Sequence, residues 1–176
     1  MWSAAFDIES ADLRLFGSGR FDLIVEKTIP VKFADASLDG LDEESFVHET
    51  LVAMPGIRED TIRAFVEASS VSRAIDLGRC ERAYDARAAR PNEMTGILEP
   101  TPDAESGTVG LMCVTNVGFS TDGSQALVFL HSWRVNTPNP YRWLMFFRRV
   151  ENKWAVAAIR PAWDMPICLP FRASPL

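Results

Sequence analysis

An α+β fold, with N-terminal helices packed on a curved antiparallel sheet, is predicted by three features of this 176-residue chain. Residues 109–160 read as two β-hairpins in succession, a four-stranded meander. Residues 1–90 carry helical apolar spacings and a single strand-like run, 21–29. Residues 91–108 have the composition of an exposed connector, and 161–176 form a proline-rich tail. No internal repeat or composition shift separates two cores. One domain is therefore expected, long enough to bury a substantial core without staples.

Ser3 is placed to cap a helix running to Phe16. Asp7 and Glu9 lie near its positive end, Ile8, Ala11 and Leu15 form its apolar stripe, and Gly17-Ser18-Gly19 stops it. Phe21–Ile29 reads as a strand closed by Pro30. It is expected to join the C-terminal sheet, because a lone strand leaves its backbone groups unpaired. Val31–Gly40 reads as a loop. Asp42 is placed to cap a second helix, with Glu43 and Glu44 in its first turn and Val47, Leu51 and Met54 on one face, and Pro55-Gly56 breaks it. A third helix, Arg58 to Ala68, offers Ile62, Phe65 and Val66 for burial, and the pair reads as an αα-hairpin on the sheet. From Ser72 to Arg90, Leu77, Cys80, Tyr84 and Ala88 fit one helical face, interrupted by Gly78.

The sheet half is more strongly patterned. Val109–Val117 is rich in β-branched and apolar residues, and Asp122-Gly123 supplies the positive-φ chemistry of a tight turn. Gln125–Val135 is apolar on both faces, which marks a central strand covered on both sides. The prolines of Asn136–Tyr141 remove amide donors and make a loop. Arg142–Val150 then alternates, with Trp143, Met145 and Phe147 on one face and Leu144 and Phe146 on the other. Glu151-Asn152 turns the chain into Lys153–Arg160, where a period of two puts Trp154, Val156 and Ala158 on one face. Short connections make these strands antiparallel neighbours.

The run Asn116-Val-Gly-Phe-Ser-Thr-Asp-Gly-Ser-Gln-Ala-Leu-Val128, with Arg149-Val-Glu-Asn-Lys-Trp-Ala-Val156, resembles an uncharacterised group of bacterial proteins of no established activity. Their C-terminal half carries a Gly-Phe-Asn-x-Asp turn, an Ala-Leu-Val strand and a hairpin with a basic residue-x-x-Gly-x-Trp pattern. The resemblance extends faintly to Ile24–Thr28 and Thr61–Ala68, and it implies the topology, not a function. Ser120 stands where the group has Asn, Asn152 where it has Gly, and Asn136–Tyr141 replaces a Gly-rich segment. Physically the motif reads as packing, with Phe119 and Trp154 anchoring the sheet to the helices. Helices first and a long meander last is also similar, in element order alone, to cystatin-like and NTF2-like folds, and element order does not decide function.

Composition narrows the chemistry. A net charge of −6 argues against phosphate-rich partners, so nucleic acid is not expected, and no apolar run is long enough to span a bilayer. The N-terminus lacks the basic and apolar regions of a secretory signal, and Cys80, Cys113 and Cys168 are odd in number and widely spaced, so a reducing, cytoplasmic setting is expected. No metal or cofactor is expected: Gly17-Ser18-Gly19 is too short for a dinucleotide fingerprint, and Walker, Gly-x-Ser-x-Gly and His-Glu-x-x-His sequences are absent.

Two histidines remain. His48 sits on an acidic helix and reads as solvent-facing. His131, in the central strand, is the catalytic candidate, with Asp164 as its orienting carboxylate and Cys113 or Cys168 as nucleophile. A buried, hydrogen-bonded histidine is the simpler reading, several-fold favoured by the lack of any local catalytic signature. Arg134, Arg142 and Trp163 are the ligand-binding candidates beside it. Arg73, Arg79, Arg82, Arg87 and Arg90 alternate with acids and read as a solvated salt-bridge surface. Arg142, Arg148, Arg149 and Lys153 lie beside tryptophans, either guarding a sheet edge or forming an interface.

These observations predict a non-catalytic binding or protein-interaction module, self-associating or acting as an immunity or adaptor protein on a basic partner. The alternative is a small-molecule-binding protein or enzyme with a pocket between sheet and helices around His131.

Overall fold

A computed structural model describes residues 23–24, 27–33, 42–75, 87–88, 111–133, 141–162 and 165. The helix expected at Ser3–Phe16, the connector 91–108 and most of the tail lie outside these residues, as do Arg134, Trp163 and Asp164.

Among the described residues two helices precede the meander. Helix α1 spans Glu43–Ala53, and Asp42 caps it by accepting the Ser45 amide hydrogen at 2.9 Å. Helix α2 spans Glu59–Ser69. The strands are β1 (Leu23–Ile24), β2 (Arg87–Ala88), β3 (Leu111–Val114), β4 (Gly118–Phe119), β5 (Gln125–Trp133), β6 (Tyr141–Val150) and β7 (Lys153–Pro161). Among the described residues they form one sheet of order β2-β1-β3-β5-β6-β7, with β4 also paired to β5. The pairs β3–β5, β5–β6 and β6–β7 are antiparallel, so the predicted meander is present in its predicted order. The fold is α+β, with the helices N-terminal to the antiparallel meander.

Strand β1 joins this sheet as expected, but it runs parallel to β3, and β2 runs parallel to β1. The helical face expected across Ser72–Arg90 is corrected at both ends. Arg87 and Ala88 pair with Leu23 and Ile24, and Ala74 bridges Lys27 in extended backbone. Thr28 holds that extended segment: its hydroxyl accepts the Arg73 amide at 2.8 Å, and its carbonyl accepts the Ser72 hydroxyl at 2.7 Å. These backbone pairings outweigh the weak periodicity of a segment interrupted by Gly78 and dense charge.

Each face of the sheet carries its own apolar cluster. The helix side gathers Phe46, Val47, Met54, Ile62, Phe65 and Val66 from α1 and α2 with Cys113, Leu127, Phe129, Leu144 and Phe146. The opposite side gathers Met112, Val114, Ala126, Val128, Leu130, Met145 and Phe147 with Ile75. Strand β5 therefore buries both faces, which is why it reads as a continuous apolar run.

The face expected for β7 needs correction. Phe146 pairs with Ala158 but Phe147 pairs with Val156, so Ala157 is a bulged extra residue. The bulge shifts the side-chain alternation by one. Trp154 and Val156 pack on the side away from the helices, whereas Ala158 packs on the helix side. Phe119 likewise meets Trp154, ring centroids 5.7 Å apart, on the far side from the helices. The pair braces β4 against β7 and does not anchor the sheet to the helices. The Glu151-Asn152 turn has φ of 50° and 64°, the paired left-handed conformation that suits a two-residue hairpin. Asparagine tolerates that conformation, which explains how it stands in the glycine position.

Candidate functional site

Two polar regions border the helix layer. The first is built on the segment between β3 and β5. Thr115, Asn116 and Val117 face only two residues of β5, Val128 and Phe129, so the chain makes a detour here. The Thr115 hydroxyl accepts the Phe129 amide at 3.1 Å and keeps the detour attached to the ladder. Asn116 is released from pairing, and its amide donates to the carbonyls of Ala68 and Val71, both at 2.7 Å, at the C-terminal end of α2. Gln125 treats the other end of α2 the same way. Its Oε1 accepts the Arg58 amide at 2.9 Å and the Thr61 hydroxyl at 3.1 Å, while its Nε2 donates to the Gly56 carbonyl at 3.0 Å. Between them Gly118 lies against the Phe65 backbone so closely that a Cβ would collide with it.

The turn itself joins this lock. Arg58 donates through both terminal nitrogens to Asp122, each at 2.6 Å, and Asp60 accepts the Thr121 amide at 3.0 Å. Arg58 holds the Asp122 carboxyl far below the usual carboxylate range, helped by Ser124 and Ser120, and Asp122 in turn raises Arg58. Ser120, in place of the group's Asn, donates to Asp122 at 2.8 Å and accepts the Gln125 amide at 2.9 Å. The stretch that carries the sequence resemblance is thus, in this chain, a device for docking one helix.

The second region surrounds His131 at the other end of the sheet. Its cross-strand neighbours are Cys113 on β3 and Arg142 on β6. The imidazole is 0% exposed and stands edge-on to Phe129 at 6.3 Å. Burial, and then the positive charge of Arg142, push its pKa down to about 3. Burial alone pushes the Cys113 thiol well above its ordinary range. The structure therefore brings together the His131 and Cys113 of the sequence argument, but as two neutral groups in a packed layer. Nucleophilic catalysis needs a thiolate in an electropositive, partly exposed setting, and this arrangement opposes both requirements. His48 is exposed on α1.

Arg142 is half-buried on the helix side beside His131. Arg160 is a residue the sequence argument did not single out. The bulge at Ala157 turns it to the helix side, opposite Leu144 and diagonal to Arg142. Its side chain is 16% exposed, and its Nη2 lies 3.9 Å from the half-exposed Glu49 carboxylate of α1. The only signal that would have found it is a one-residue break in the β7 alternation, and two consecutive alanines hide that break. Beyond them, Arg148 stacks over Phe146 at 5.3 Å and donates to the Pro55 carbonyl at 3.4 Å, while Arg149 and Lys153 are exposed.

Among the described residues no group of three or more His, Cys, Asp and Glu side chains is placed to hold a metal ion, and no helix is long and apolar enough to cross a membrane. The chain matches no protein-family model, no curated protein and no solved structure.

Proposed function

We propose that this chain is a non-catalytic protein-interaction module. The observation that supports it is where the fold puts its chemistry. His131 and Cys113 are enclosed and neutral, whereas Trp143, Trp154, Val156 and Ile159 stay only half-buried on the sheet face away from the helices. Exposed Arg149, the cross-strand partner of Trp154, borders that surface. Aromatic anchors with arginine are the composition that carries binding energy at interfaces. The edge strand β7 is blunted by its bulge, by Lys153 and by Pro161, so the face is a better docking surface than the edge.

An immunity or adaptor protein acting on a basic partner in the cytoplasm is the version favoured by the net charge of −6. Exposed Glu43, Glu44, Glu59 and Glu67 on the helices would steer such a partner. Sedimentation velocity over a range of concentration, with co-purification at near-physiological salt and reconstitution from purified components, tests the reading. A saturable complex that is weakened by Trp154→Ala supports it. A chain that stays monomeric and reconstitutes with nothing sinks it.

A second reading, a small-molecule receptor around His131, draws on the pair of arginines that face the helix layer.

A further inference from the structure

We infer that Asp122-Gly123 is a site of spontaneous isoaspartate formation, and that the Arg58 clamp decides when it reacts. The chain contains two Asp-Gly pairs, Asp39-Gly40 and Asp122-Gly123. A glycine after aspartate leaves the following amide nitrogen unshielded, and nothing lies within 4 Å of where a Cβ of Gly123 would stand. The Asp122 side chain is 54% exposed, so water reaches the turn. The reaction joins the Gly123 nitrogen to the Asp122 Cγ. One carboxyl oxygen leaves as water, taking the amide hydrogen and the acid proton. Water then opens the cyclic imide at the Asp122 backbone carbonyl, while the nitrogen stays on Cγ. Water is released and taken up again, so the change is an isomerisation. The chain now runs through Cβ and Cγ, one carbon longer, with the α-carboxylate as its side group.

The folded turn withholds both reactants. Departure of water requires a protonated carboxyl, and the fold keeps Asp122 ionised. Arg58 grips it through both terminal nitrogens at 2.6 Å, and the Ser120 hydroxyl, the Ser124 amide and the Ser124 hydroxyl donate to its Oδ1 at 2.8, 2.9 and 2.7 Å. The nucleophile is occupied too, because the Gly123 amide donates to the Ser120 carbonyl at 2.9 Å. Arg58 stands immediately before α2, with its own amide on Gln125, so the clamp lets go when that end of α2 lifts from the turn. Isoaspartate would carry the carboxylate away from Arg58 and prevent the same docking. The site thus converts a reversible opening of α2 into a permanent one. It needs no partner and stands apart from the interaction-module reading.

The test is incubation of the full chain at mildly acidic pH, where a released carboxyl is partly protonated, with isoaspartate read at each Asp-Gly pair by peptide mapping. In urea the two pairs should convert at comparable rates, because only local sequence then acts. In the native chain Asp122 should fall about tenfold or more behind its own rate in urea, as a reaction limited by local opening does. Arg58→Ala should raise the native rate several-fold, and Arg58→Lys should fall between, since an ammonium cannot form the fork. Conversion of Asp122 as fast in the native chain as in urea overturns the inference, and that comparison requires no variant to fold. So does an Arg58→Ala chain, folded by circular dichroism, that converts as slowly as the wild type.

Discussion

The two helices are held to the same sheet in opposite ways. At α2, the docking groups meet named partners: Asn116 takes two carbonyls, Gln125 satisfies three groups, and Asp122 receives both arms of Arg58. At α1, the apolar contacts of Phe46, Val47 and Met54 hold the helix, while Thr50 and the Arg160 Nε are buried without partners. Hydrogen bonds contribute modestly when made and cost more when a buried group is left open. A saturated network therefore fixes one geometry and has nothing left to offer a ligand. The under-satisfied end gives up some stability instead.

Gly118→Ala should strike the α2 end hardest. The added Cβ meets the Phe65 backbone, which cannot rotate away as a side chain could, so α2 must lift from the sheet. A loss of about 3 kcal/mol or more is expected in urea denaturation, at the top of the range for overpacking. A loss below about 1 kcal/mol would show that α2 slides freely on β4, and the idea of a rigid lock would be abandoned. Asn116→Ala should follow, with a loss between about 2 and 3 kcal/mol. It removes two hydrogen bonds at once and leaves the Ala68 and Val71 carbonyls to find water at a partly buried site.

At the other end, the expected effect depends on pH. The native pKa of His131 is about 3, against 6.5 for an exposed histidine, so below pH 6.5 the unfolded chain binds a proton that the native chain refuses. Stability is highest above pH 6.5 and falls with pH until about pH 3, with a slope approaching 1.4 kcal/mol per unit. Between pH 7 and pH 5 that amounts to about 2 kcal/mol. His131→Leu should abolish this component while retaining the acid loss contributed by Asp122 and Asp60, whose depressed carboxyl pKa values act at lower pH. Parallel slopes in the two proteins would place His131 in contact with water and reopen the catalytic reading.

Much of this architecture was legible in the sequence because it rests on local chemistry. The alternation of Trp143 to Phe147, the two-faced apolar run of β5 and the Asp42 cap are fixed by periodicity and by residue type. The Glu151-Asn152 turn was legible for the same reason. Strands β1 and β2 were less so, because two-residue parallel pairings are decided by what lies beside them and leave no pattern of their own. On α1 the apolar stripe pointed to Leu51, yet Phe46 and Thr50 are the more deeply buried. The helix is rotated toward the sheet by about one residue, and packing sets that rotation. Arg160 was hidden for a related reason. A bulge reverses every side chain beyond it, and nothing in Ala157-Ala158 announces which alanine is extra.

Arg63 gives the sharpest control, because it resembles Arg160 in charge and differs in setting. It lies 2.7 Å from Glu59, 2.9 Å from Glu44 and 3.7 Å from Glu43, more ionic contacts than Arg160 has. Yet its side chain and those partners are substantially exposed, so water and salt screen them, and holding several long side chains together costs entropy. Arg63→Ala should leave the urea midpoint within experimental error. If the midpoint drops clearly at low salt and recovers at high salt, the carboxylates around Arg63 are instead repelling one another, and the arginine is needed to hold α1 beside α2. The distinction between a screened surface pair and a buried, half-satisfied cation would then lie in the number of neighbouring charges as much as in burial.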